Sequence, residues 1–182
     1  DLSVPIPSAG PDEIGAMAAA VEVFRNNAVA LEEAQAQAET LARYDALTGL
    51  ANRRVLADEL EKALSRVDRG EAHFAVLLID LDRFKPINDI HGHSAGDFVL
   101  GEITARLKTL VRMHDTVARL GGDEFAIICE VDREGREPTK TPIALAERII
   151  AAISAPVSIG ARVVEVGASI GIALCPADGL NA

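Results

Sequence analysis

Residues 74–80, Phe-Ala-Val-Leu-Leu-Ile-Asp, form an unbroken apolar run that stops on a carboxylate. A run of this length reads as a buried strand. Such a strand needs other strands beside it and helices over its faces, so the rest of the chain must supply both. Residues 53–67 are helical in period. Residues 94–112 read as a second long helix, with Ser94 and Asp97 spaced as a capping box. Residues 116–119 and 125–131 flank Gly121-Gly122 and read as a hairpin. A charged loop, 133–140, leads to Thr141 as N-cap and Pro142 at the first helical position, starting a helix to about Ile153. Segments 157–159, 162–166 and 169–174 are β-rich, with Gly160 at a turn. The expected fold is an α/β (α+β) sandwich, a central and mostly antiparallel sheet flanked by helices.

Upstream the pattern is different. Residues 1–10 are rich in Pro and Ser and read as an extended lead-in. Ile14, Met17, Val21, Phe24, Ala28 and Leu31 then alternate at steps of three and four, the a/d seam of a coiled coil. Gln35, Ala38 and Ala42 continue it weakly, and Arg25, Glu32 and Glu39 share one flank. No Pro or Gly interrupts residues 16–47, so one helix is expected there, making a parallel dimer stalk rather than packing on its own domain. The chain divides on this reading into a helical part, 1–43, and a globular part, 44–182.

A formal net charge of -10 over 182 residues argues against a nucleic-acid partner, which needs clustered Lys and Arg. An acidic chain can still hold a nucleotide if a divalent cation bridges its carboxylates to the phosphates. Cys129 and Cys175 match no metal spacing and are expected as buried, reduced thiols. No apolar run is long enough to span a bilayer, and no signal peptide is evident at the start.

Two acidic groups carry candidate chemistry. Asp80 closes the buried strand, followed by Leu81-Asp82. Asp123 and Glu124 follow the paired glycines, which let a hairpin take positive φ and bring its backbone close to a ligand. Neighbouring strand residues point to opposite faces, so Asp123 and Glu124 share one site only if the turn bends them. At least one of them meets Asp80 if the two strands are neighbours. Carboxylates converging on one point repel unless a cation lies between them, and oxygen-only ligands suit Mg²⁺ or Mn²⁺. The plainer reading of each acid alone is a turn residue at a strand end.

Six segments together resemble the GGDEF family. They are the Asp45-Ala-Leu-Thr-Gly-Leu-Ala-Asn-Arg-Arg stretch, the strand ending Asp80-Leu-Asp82, and Phe84-Lys85-Pro-Ile-Asn88-Asp89. His91-Gly-His93-Ser-Ala-Gly96-Asp97, then Gly121-Gly-Asp-Glu-Phe125 preceded by Arg119, and Ala168-Ser-Ile-Gly-Ile-Ala173 complete the set, all in family order. The resemblance runs from Tyr44 to the end. It implies a sheet of the kind found in nucleotide cyclases and polymerase palms. It also implies a diguanylate cyclase, a nucleotidyltransferase that joins two GTP into cyclic di-GMP.

Carried onto matching positions, the resemblance implies that Asp80, the Leu81 carbonyl and Asp123 hold Mg²⁺ (or Mn²⁺), with Glu124 as a further acid nearby. Asp123 would also help deprotonate the attacking 3′-hydroxyl. Lys85 would face the phosphates, Gly121 and Gly122 would approach the substrate, and Asn88 and Asp97 would read guanine with His93 close by. Asp97 can equally be a first-turn acid that favours the helix dipole. A metal role for His91 and His93 is disfavoured. Arg112-Met-His-Asp115 matches the family's RxxD inhibitory motif, which binds cyclic di-GMP; a surface ion pair is the plainer reading.

One GTP per subunit implies a homodimer, formed here through the N-terminal helix. Pro11-Asp-Glu-Ile-Gly15 and the seam resemble the second half of a HAMP linker. That implies a parent anchored upstream in the bacterial inner membrane, with this part, itself soluble, on the cytoplasmic side. The family pattern continues past residue 182 into a helix with basic residues, so the C-terminal helix is expected to be missing here and the present chain to turn over slowly. A catalytically weak module that binds GTP or cyclic di-GMP and regulates an attached EAL-type phosphodiesterase is the alternative.

Overall fold

The computed structural model describes residues 13–70, 72–131, 141–160 and 162–178, with side chains from Met17 onward. The lead-in, the charged loop and part of the HAMP-like segment lie outside them. The described residues form two compact units that meet between Ala42 and Arg43.

The first unit is helix α1, Glu13–Arg43. Met17, Val21, Phe24 and Leu31 of the seam are exposed along it. No helix among the described residues is long and apolar enough to cross a membrane.

The second unit contains α2 (Arg53–Asp68), β1 (Phe74–Asp82), α3 (Phe84–His91), α4 (His93–Leu110), β2 (Thr116–Gly121), β3 (Glu124–Glu130), α5 (Pro142–Ile153), β4 (Val157–Ile159), β5 (Arg162–Val164) and β6 (Gly167–Cys175). Four strands form one sheet in the order β2-β3-β1-β6, every pair antiparallel, while β4 and β5 make a separate hairpin. The expected sandwich with its antiparallel sheet is thus observed.

The strand β1 is central, and its alternation sorts the two sides of the sheet. Ala75, Leu77, Ile79 and Leu81 are no more than 2% exposed and pack with Val99, Leu100, Ile103 and Leu107 of α4 and Ala146, Ile149 and Ile153 of α5. Each of the Leu, Ile and Val side chains among them contributes roughly 1.5–3 kcal/mol when fully buried. On the opposite side, Phe74 and Val76 meet Ile128 and the α2 residues Leu60, Leu64 and Val67. Helix α2 starts where Asn52 caps it, its side chain accepting from the amides of Arg54 and Val55.

Several expectations shift at element ends. The first helix stops at Arg43, short of Leu47. There the Asp45 carboxylate accepts from both the amide and the hydroxyl of Thr48, a local alternative to helical bonding. The capping box at Ser94 does not form. Gly92, at φ 83, carries the chain directly out of α3, and its carbonyl accepts from Ala95 and Gly96, so α4 begins at His93. Asp97 consequently lies beyond the first turn, which removes the helix-dipole account of it. Helix α3 went unread because Pro86 sits inside it; within the first turn a proline costs no hydrogen bond. Within β6, Ile170 and Ile172 are partly buried against the core, while Leu78 of β1 is exposed, 52% accessible.

Helix α5 has no basic residue in its last turn. Arg106 of α4 serves instead, donating to the carbonyls of Ala152 (2.9 Å), Ala155 (2.5 Å) and Pro156 (2.9 Å). Replacing Arg106 with Ala leaves these carbonyls without their charged donor. Urea denaturation should show a loss of about 1.5–3 kcal/mol. An unchanged midpoint would mean that water replaces the guanidinium without penalty.

Candidate functional site

Strand register decides which carboxylates meet. Asp80 lies directly opposite Glu124 on β3 and opposite Ser169 on β6, so the three form one row across the sheet. Opposed residues in an antiparallel pair share a face. Asp123 sits in the turn before β3, where its carbonyl accepts the Leu81 amide at 3.3 Å. The Leu81 carbonyl leaves the strand on the same edge, toward the same turn. A register irregularity between Arg119 and Gly121, with Gly121 at φ 141 and Gly122 at φ 54, bends the chain here. Positive φ at two successive residues explains the paired glycines. Asp82, two residues further along β1 and on the same face, accepts the Ser169 hydroxyl at 2.9 Å.

This arrangement suits Mg²⁺ or Mn²⁺. Asp80 and Glu124 are hard oxygen donors placed opposite one another, and the Leu81 carbonyl faces the same turn. No cluster of three His, Cys, Asp or Glu residues able to cage a metal is found among the described residues. Mg²⁺ keeps several waters and binds through one or two carboxylates together with substrate phosphates, so a partial donor set is the expected form. An open pocket of about 420 Å³ runs from Asp80 and Glu124 along Leu78, Leu120, Ile170 and Gly171. Lys85, Asn88, His93, Asp97 and Asp123 do not line it.

The signature turn is held by Arg119. Its Nε and one terminal nitrogen donate to the Gly122 carbonyl at 3.0 and 2.7 Å, and the other terminal nitrogen reaches Asp45 at 3.0 and 3.2 Å. Burial acts to raise the Asp45 pKa. The hydrogen bonds from Thr48, with Arg119, outweigh that and hold the carboxyl below its ordinary value of 3.8. Sequence reasoning quoted both residues without linking them, since 74 positions separate them. Another cation nearby, Arg53, has a terminal nitrogen 3.9 Å from Glu124.

The α3–α4 corner gathers the residues expected to read a base. Asn88 packs on Gly96: a Cβ there would collide with Oδ1 of Asn88 and lie 2.9 Å from its Cγ and 3.1 Å from Phe84. Asp97 follows Gly96, and His93 lies four residues before Asp97, on the same side of α4. His91 is engaged elsewhere, its Nδ1 lying 3.2 Å from Arg162. Lys85 is exposed in the first turn of α3. That helix starts from Arg83 in the left-handed conformation, φ 62, with no side chain capping it. Free amides at a helix start favour an anion, a feature concealed in the sequence by the motif's lack of glycine.

The Arg112–Asp115 segment is a turn rather than a surface ion pair. The Arg112 amide donates to Oδ2 of Asp115 at 2.8 Å. The Asp115 side chain is 4% exposed, and its buried Oδ1 lacks a hydrogen-bond partner. Beside it lies a pocket of about 200 Å³ lined by Arg112, Glu130, Thr141, Leu145 and Arg148. Arg148, from α5, was not legible as part of this site because only folding brings it there. Burial first, and the Asp115 charge second, push the neighbouring Cys129 thiol up to about 11.

The family model described as "Diguanylate cyclase, GGDEF domain" matches residues 42–182, and that of the HAMP domain matches residues 1–30. The bifunctional diguanylate cyclase/cyclic di-GMP phosphodiesterase MucR of Pseudomonas aeruginosa is 45% identical over 152 residues, covering 84% of this chain but 22% of its own length. The chain thus spans about a fifth of that relative. Among solved structures, a sensory box/GGDEF family protein from Caulobacter crescentus matches with a TM-score of 0.69 and 41% identity, covering 76% of this chain and 86% of that one. The coiled coil and GGDEF domain of DgcB from the same species, in complex with c-di-GMP, gives 0.71 and 26%, covering 90% and 86%.

The Asp45 network yields a pH prediction. A carboxyl whose folded-state pKa lies below the unfolded 3.8 adds stability that is complete above that value and lost as pH falls through the folded one. Asp45→Asn should cost about 1–3 kcal/mol at neutral pH. The gap from the native chain should narrow as pH drops below 3.8. A gap that stays constant into strong acid would show that the Asp45 charge contributes nothing.

Proposed function

The chain belongs to the GGDEF family, and on that footing we propose that it is a diguanylate cyclase, condensing two GTP into cyclic di-GMP. In each of two steps the 3′-oxygen of one GTP bonds to the α-phosphorus of the other, the bond to the β-phosphate bridge breaks, and pyrophosphate leaves. The observation that carries this reading is the pairing of Asp80 with Glu124 across adjacent strands, beside a turn held rigid by Arg119.

Asp80, Glu124 and the Leu81 carbonyl would hold Mg²⁺ or Mn²⁺, which supplies charge neutralisation at the phosphates and lowers the pKa of the attacking hydroxyl. Asp123, in the turn, is the candidate acceptor of the 3′-hydroxyl proton. Lys85 and the uncapped amides of α3 bind phosphate oxygens. The Asp97 carboxylate accepts from the ring N–H and amino group of guanine, and Asn88 completes the edge with His93 beside it. Such preorganised groups act without reorganising during the reaction.

Two nucleotides must meet, so two copies must face each other. The exposed seam of Met17, Val21, Phe24 and Leu31 supports a homodimer through α1. The HAMP match supports a parent protein anchored in a membrane. The second pocket, with Arg112, Arg148 and an Asp115 oxygen that accepts no hydrogen bond, supports a site for the cyclic di-GMP product. The likeness to a bifunctional relative favours a second reading, a module that binds GTP to regulate an attached phosphodiesterase; GTP binding without turnover would select it.

Incubation with GTP and Mg²⁺, followed by chromatography, should yield cyclic di-GMP. Asp80→Asn and Glu124→Gln should each lower the rate by roughly 100-fold or more with the fold intact, both side chains being exposed. Full activity in either variant would refute the shared metal. Arg112→Ala should weaken cyclic di-GMP binding by about tenfold while GTP affinity holds. Unaltered product affinity by calorimetry would leave the Arg112 turn a structural feature alone.

A further inference from the structure

Helix α2 opens with Arg53 and Arg54 and has no acid in its first turn. Cations at a helix start oppose the macrodipole, each unfavourable by roughly 0.3–1 kcal/mol. A guanidinium has no acceptor for the first amides, and Asn52 accepts from those of Arg54 and Val55. One of the two arginines instead extends toward Glu124, with its terminal nitrogen 3.9 Å from Oε2. Both side chains remain largely exposed, 73% and 55%, and an exposed pair of this kind is worth about 0–1 kcal/mol. Stability therefore gives no account of a cation held at an unfavourable helix position. A local rule broken beside an acidic site points to function.

We propose that Arg53 is a phosphate-binding residue of the site that competes with the divalent cation for Glu124. This inference rests on the cyclase reading and assigns a residue that reading does not use. Charge supplies the logic. Asp80 and Glu124 together balance one divalent cation, so binding the metal leaves no net negative charge to retain Arg53. A nucleoside triphosphate then brings several negative charges that Lys85 alone does not offset. The guanidinium is a planar donor whose fork matches phosphate oxygens, and it lies within reach of the same carboxylate. Arg53 accordingly has opposite effects on the two ligands: it weakens the metal in the absence of nucleotide and strengthens the nucleotide.

The test compares the native chain with Arg53→Ala, Arg53→Lys and Arg54→Ala. Mn²⁺ binding without nucleotide is followed by electron paramagnetic resonance, and GTP binding with Mn²⁺ by calorimetry of the initial phase. Circular dichroism melts check that each variant folds. Arg53→Ala is expected to tighten Mn²⁺ by about threefold or more and to weaken GTP by about tenfold. Arg53→Lys should retain the charge and with it the native Mn²⁺ affinity while recovering only part of the GTP affinity, and Arg54→Ala should change neither affinity by more than about twofold. A residue that merely supports the fold would weaken both ligands or neither, and either pattern overturns the proposal. Turnover is measured separately. A native chain that binds both ligands yet forms no product sinks the cyclase reading while leaving Arg53 judged on binding alone. A native chain that binds neither ligand sinks both.

Discussion

The register of β1 against its two neighbours is the constraint on which the rest of the unit depends. Side chains alternate along a strand, so a shift of one residue would move Leu77, Ile79 and Leu81 out of the core and carry Asp80 into it. The core fixes the register because those three residues are almost inaccessible on one side, while Phe74 and Val76 pack beneath α2 on the other. The placement of Asp80 on the face it shares with Glu124 and Ser169 follows from that packing. A site geometry set by buried aliphatic residues is precise, since interiors packed at crystal density do not slide continuously.

Much of this was legible in the sequence wherever a signal was local. Thr141 caps α5, and Pro142 begins it as its position demanded. Residues 74–80 were recognisable as a buried strand from their run of apolar side chains. Failures fell where a neighbouring residue competed with a local rule. Ser94 looked like a cap, but Gly92 had already turned the chain and supplied the accepting carbonyl. The helical period beyond Arg43 was undone by the hydrogen bonds of Asp45 to Thr48.

Other features were not written locally at all. Asp123 and Glu124 are adjacent, and which of them meets Asp80 depends on the irregularity between Arg119 and Gly121. Arg106, Arg119 and Arg148 each act at a distance along the chain, on the end of α5, on Asp45 and on the second pocket. All three are long cationic side chains in a chain of net charge -10. Arg106 and Arg119 donate to backbone carbonyls, and Arg119 also to the part-buried Asp45 carboxylate, where a fixed fork of donors matters more than charge.

The turn that carries the signature is held from outside the sheet. Gly121 and Gly122 give it the dihedral angles it needs, but glycines also leave a turn free to take others. Arg119 removes that freedom by donating twice to the Gly122 carbonyl. Its third nitrogen ties the turn to Asp45, two residues beyond the last residue of α1. Asp45 is itself fixed by Thr48, and the Asp45 amide by the Leu50 carbonyl at 2.8 Å. Ala51 then accepts the Arg119 amide at 2.9 Å, closing a ring of hydrogen bonds from residue 45 to the turn and back. Any displacement of residues 44–51 must either break these bonds or carry Gly122 with it. Because the ring is partly buried, breaking it leaves polar groups short of water, which costs more than moving together. The segment that ends the helix and the turn that presents Glu124 therefore behave mechanically as one piece.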